Sequence, residues 1–89
     1  MKEGVKIDIN QRVKDIFFYL KENNKIKSKT EFAKYLGLLP QTLNGIFNNK
    51  QYFTTEHLSN LIKYFPELNA EWLLTGRGSM LKKRKKAQP

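Results

Sequence analysis

The chain has no cysteine, a single histidine, few acidic residues and no long apolar run among its 89 residues. Without cysteine there is neither a disulfide framework nor a thiolate zinc site, a composition that suits a reducing cytosol. No stretch approaches the ~20 apolar residues that cross a bilayer. The opening MKEGVKIDIN carries no apolar h-region, so no secretory leader is expected there. The one histidine, His57, has Glu56 beside it and Asn60 and Leu61 one turn on, which completes no metal-ligand or nucleophile–base set. Neither an enzyme, a cofactor nor a small-molecule substrate is expected.

What is present fits one small domain. Six Phe, four Tyr and one Trp within a 39% hydrophobic composition are enough for a single core. A chain of this size buries only ~60–65% of its unfolded surface, which leaves no room for a deep enzyme cleft. A mean hydropathy of −0.64 describes a soluble chain. Seventeen Lys and Arg against eight Asp and Glu give a net charge of +9. Five of those positives lie in residues 82–86, so the remainder carries +4. Polyanions are the expected partners: nucleic acid first, an anionic membrane second, because the basic run has no adjacent apolar face. We place the domain at residues 1–81 and a basic, disordered tail at 82–89. The tail reads as a solvated linker, a non-specific DNA arm or a nuclear-localisation signal.

Apolar periodicity predicts five helices and no sheet. The first runs from about Asn10 to Glu22, with Val13, Ile16, Phe17 and Leu20 on one face. The second opens on a capping box at Ser28 and Glu31, buries Phe32, Ala33 and Leu36, and stops at Gly37. Pro40 starts the third, which turns Leu43, Ile46 and Phe47 inward. A fourth is capped by Thr54 or Thr55 and presents Leu58, Leu61, Ile62 and Phe65 before Pro66. The fifth runs from Asn69 to Thr75-Gly76 and carries Trp72 and Leu73. With Leu74, Met80 and Leu81, these last two supply apolar surface for core closure or for a dimer contact.

Only Gly37, Leu38 and Leu39 separate the second and third helices. So short a link, opened by a glycine able to take positive φ, makes two helices meet steeply, as in a helix-turn-helix. Small Ala33 at the crossing, Gly37 at the turn, and apolar Phe32, Leu36, Leu38, Leu43 and Ile46 meet the needs of that geometry. The outer face of the third helix offers Gln41, Thr42, Asn44, Gly45 and Asn48, which is polar, short and almost uncharged. Amide and hydroxyl groups pair with base edges, and Gly45 leaves room for close approach. Lys27, Lys29, Lys34 and Lys50 surround this face.

Residues 29–48, KTEFAKYLGLLPQTLNGIFN, resemble the helix-turn-helix of the phage repressor/Cro-like, or Xre, family. Residues 68–81, LNAEWLLTGRGSML, resemble the fifth-helix region of bacterial and prophage repressors with a "WLLTG-G-ML" ending. The resemblance implies a compact all-α, five-helix, lambda-repressor-like domain. It implies a cytoplasmic, nucleoid-associated transcriptional repressor of prophage type, acting as a homodimer on double-stranded DNA at a palindromic operator. By position, Gln41, Thr42, Asn44 and Gly45 match the base-reading surface. Ser28, Lys29 and Thr30 match a phosphate contact at the start of the second helix, and Asn48, Asn49 and Lys50 the backbone-gripping loop after the third. Two positions depart from the pattern. Leu39 stands where a Ser or Thr N-cap is usual, and Asn48-Asn49 where the loop often begins with Gly. The rival reading is a protein-interaction module, antitoxin-like or anti-repressor, that uses the same fold without DNA.

Overall fold

The computed structural model describes residues 3–82, with side chains from Asp8 onward. Five helices follow one another: α1 (Glu3–Glu22), α2 (Lys29–Leu36), α3 (Pro40–Phe47), α4 (Thr55–Tyr64) and α5 (Ala70–Thr75). The expected all-α architecture is the one formed. Among the described residues the sole extended pairing is an isolated antiparallel bridge between Leu68 and Leu81. The tail expected at 82–89 lies, from residue 83 on, outside the described residues.

α1 begins at Glu3, well before the expected Asn10. Asparagine is a weak helix former and a natural starting signal, but tertiary bonds override that preference here. Asn10 is 2% exposed inside the helix, on the face that also buries Ile9, Val13, Ile16, Phe17 and Leu20. Each large apolar side chain so removed from water contributes about 1.5–3 kcal/mol. The Phe17 ring lies 5.3 Å from Phe32 and 5.9 Å from Phe47, joining α1 to α2 and α3.

Polar caps fix where α2, α4 and α5 begin. Ser28 Oγ accepts the Glu31 N–H at 3.2 Å. The Glu31 carboxylate accepts from the Lys27 N–H at 2.7 Å, one residue upstream of the reciprocal bond expected. At α4 the choice falls on Thr54. Its hydroxyl accepts the His57 N–H, while His57 Nδ1 accepts the Thr54 N–H at 3.1 Å. The lone histidine thus serves as the second half of a capping box.

Glycine or asparagine ends α1, α2, α3 and α5. Gly37, at φ +82°, gives its N–H to Lys34 O while Leu38 N–H reaches Ala33 O, the paired bonds of a Schellman turn. Asn24 (φ +59°) and Asn49 (φ +63°) make the same pair of bonds after α1 and α3. Asparagine tolerates this left-handed conformation, so the glycine absent from the loop after α3 is replaced by Asn49.

The C-terminal part closes over the core. Arg12 Nη1 donates to Leu73 O at 3.1 Å, satisfying a carbonyl at the end of α5. Asn69 N–H donates to Met80 O and Lys82 N–H to Glu67 O, folding the last described residues back along the α4–α5 link. Leu73 is buried, and Trp72, Met80 and Leu81 pack half-buried against the core. Leu74 alone of that group stays largely exposed, at 47%. No helix among the described residues is long and apolar enough to cross a membrane.

Candidate nucleic-acid interface

α3 is held from behind and open in front. Leu43, Ile46 and Phe47 are buried, while Gln41 and Asn44 are exposed and Thr42 is half-buried. These are the amide and hydroxyl groups expected at the base-reading surface; Gln41 and Asn44, three residues apart, share the outer face, and Thr42 lies half-buried at its margin. Neither the first nor the last turn of α3 carries a charge, and no side chain caps its N-terminus. The N–H groups of its first turn are therefore not taken up by a cap. Between Glu31 and Glu56 the chain has no acidic residue at all. Anionic phosphates would meet no repelling carboxylate from this stretch.

The expected phosphate-contacting residues flank that face. Ser28, Lys29 and Thr30 are exposed at the start of α2, and Asn48, Asn49 and Lys50 are exposed after α3. Lys29 crosses to α3: its Nζ donates to Asn44 Oδ1 at 3.1 Å and lies 5.8 Å from the centre of the Phe47 ring. One candidate phosphate ligand thus holds one candidate base reader. Two of these positions have close neighbours. Beside Gly45, the amide end of the exposed Gln51 side chain sits 2.9 Å from where a Cβ would stand. Asn49 has a structural task, since its Oδ1 accepts a bond from Asn10.

Asn10 is the positioning residue that sequence reasoning missed. Its Nδ2 lies 3.1 Å from Ile46 O, 3.2 Å from Asn49 Oδ1 and 3.0 Å from Gln51 O. Two N–H groups shared by three acceptors pin the end of α3 and its following loop to α1. The available signal was an amide on the apolar stripe, three residues before Val13, where burial demands partners. Asn60 does the same for the turn. Its Nδ2 donates to Leu36 O at 3.1 Å, and a Cβ on Gly37 would lie 3.3 Å from that nitrogen. Leu39, 62% exposed at the N-cap of α3, is a further candidate contact.

Two helices set at a left-handed glycine turn, the second with a polar uncovered face, define a helix-turn-helix DNA-binding domain. The chain belongs to the CENP-B N-terminal DNA-binding domain family, which matches residues 6–56, more than half its length. That match runs from α1 into the first turn of α4 and includes every candidate contact residue. No curated protein and no solved structure matches the chain.

Proposed function

We propose that the chain reads double-stranded DNA sequence-selectively as a transcriptional repressor, with α3 in the major groove. The observation that carries this reading is the exposed, uncharged pair Gln41 and Asn44, with half-buried Thr42 beside them, on a helix whose other side is used by the core. Gln41 and Asn44 each suit bidentate pairing with adenine, a contact that discriminates by about 1–3 kcal/mol. Lys29, Lys50 and the first N–H groups of α2 take phosphates and set register, with Ser28, Thr30 and Asn48 beside them. Because a single module buries only ~600–1,000 Å² on DNA, the working form is a homodimer on a palindromic operator. A cytoplasmic, prophage-type regulator is the role that the resemblance of residues 29–48 and 68–81 to phage repressors supports.

Selection of bound duplexes from a random pool, followed by fluorescence anisotropy, tests the reading. Gln41→Ala is expected to relax preference at one or two base pairs, and Lys50→Ala to weaken every duplex alike. If the two variants lose affinity in the same sequence-independent way, α3 does not read bases. Failure of the pool to converge on any sequence would favour a protein-interaction role for the same fold.

A further inference from the structure

The phosphate-contacting residues of the proposed interface form only half of a larger groove, and α1 supplies the other half. Lys14, Phe17, Phe18 and Lys21 follow the i, i+3, i+4, i+7 spacing and share one face of α1. Across from them stand Lys27, Ser28 and Lys29 at the start of α2 and Asn48 after α3, enclosing about 550 Å³. Four lysines, from α1, the α1–α2 link and the first residue of α2, therefore converge on one concave surface, and no acidic residue lines it. The ion pairs among the described residues are Lys25–Glu67 and Arg77–Glu71, so none of the four is neutralised by a carboxylate. Lys14 Nζ lies 5.8 Å from the centre of the Phe47 ring and Lys21 Nζ 5.9 Å from that of Phe17. Both ammonium groups are thus held against the groove wall. Phe18, 51% exposed and with its ring 5.3 Å from that of Phe17, lies between them along the helix. A solvated lysine face has no use for a half-exposed phenyl ring. A strand that alternates charged phosphates with apolar sugar faces does.

We propose that this groove is a second phosphodiester-binding site: Lys14 and Lys21 grip DNA phosphates beyond those held by Lys29 and Asn48, and the Phe18 ring lies on the deoxyribose between them. The assignment rests on the reading of α3 as the major-groove helix, and it extends the footprint of one domain along the same strand. The site selects for backbone, not for sequence.

The test uses the full chain and the duplex selected above, with anisotropy titrations across a range of salt. Lys14→Gln/Lys21→Gln keeps most of each aliphatic stem and removes both charges. Each phosphate contact contributes ~0.9 to the slope of log affinity against log salt, so the slope falls by about 2. The advantage of the unaltered protein then shrinks about tenfold between about 50 and 200 mM salt, while the ranking of duplexes stays the same. Lys21→Gln alone, at an exposed position, gives half that change and keeps the test valid if the double variant folds poorly. Lys63→Gln, outside the groove on α4, leaves the slope unaltered. Phe18→Ala lowers affinity at constant slope. An unchanged slope and affinity in the Lys14/Lys21 variants, with the unaltered chain still discriminating among duplexes, overturns the groove and spares α3. A chain that discriminates among no duplexes overturns the reading of α3 first, and the groove falls with it.

Discussion

Lys29 stands between two tasks. In the free protein its ammonium holds Asn44 Oδ1, yet Asn44 needs both Oδ1 and Nδ2 to pair with adenine, and Lys29 is wanted by a phosphate. DNA binding by the proposed mode therefore breaks this bond and replaces it with two better ones. The sign of the coupling follows. Either single alanine variant loses its DNA contact but is spared the cost of breaking the bond, and the double variant is spared it only once. Lys29→Ala/Asn44→Ala should lose about 0.5–1.5 kcal/mol more binding free energy than the two single variants added together. A double-mutant cycle by anisotropy measures this. Strict additivity, or a loss smaller than the sum, means that the Lys29–Asn44 bond survives on DNA. Of the residues at this scale, the outward placement of Gln41 and Asn44 was legible in the sequence because the inner face of their helix is marked by Leu43, Ile46 and Phe47. Asn10 was not: an amide at the edge of an apolar stripe looks like a helix start until its three acceptors, 36 to 41 residues away in sequence, are in place.

At the scale of elements, α3 lacks what α2, α4 and α5 all have, a side-chain N-cap. Ser28, Thr54 and Asn69 each accept a backbone N–H, whereas Leu39 leaves the first turn of α3 without one and exposes a leucine to water. Stability argues against leucine there, so the residue is explained if DNA, not the fold, uses that position. An apolar side chain at the head of a major-groove helix fits a thymine methyl, and uncapped N–H groups fit a phosphate. Leu39→Ser should raise stability by about 0.5–2 kcal/mol, a rise of several degrees in thermal midpoint for a domain this small. It should also lower affinity for the selected duplex. A variant that is stabilised with unchanged binding would show Leu39 to be a neutral departure. The start of α1 apart, helix ends were the best-read features of the sequence, since Ser28, Gly37, Pro40 and Gly76 act within one turn of themselves. The return bond of Glu31 and the cap made by His57 were missed because the choice among neighbouring backbone N–H groups depends on the approach of the preceding chain.

For the whole molecule, the apolar surface left outside the core governs how many copies act together. Five helices in this order were readable from periodicity, and the core they enclose leaves little apolar surface over. Trp72, Leu73, Met80 and Leu81, which could have served either closure or association, are largely taken up by closure. Leu74 remains, beside Ile9, Tyr52, Phe53 and Leu58 along a shallow groove of about 610 Å³. Stable protein interfaces bury roughly 1,200–2,000 Å² in total, more than one leucine and a shallow groove readily supply. A dimer of this domain should therefore be weak in solution and assemble on DNA. Sedimentation of the free chain is expected to give a monomer at micromolar concentration. The selected duplexes should contain two inverted half-sites about 34–36 Å apart, one helical turn. Titration onto such a duplex should be cooperative, and Leu74→Glu should abolish the cooperativity while leaving half-site affinity intact. Selected sequences with a single, unrepeated site, bound without cooperativity, would make the monomer the working unit. The lysines of α1 would then have to carry the affinity that a second copy otherwise provides.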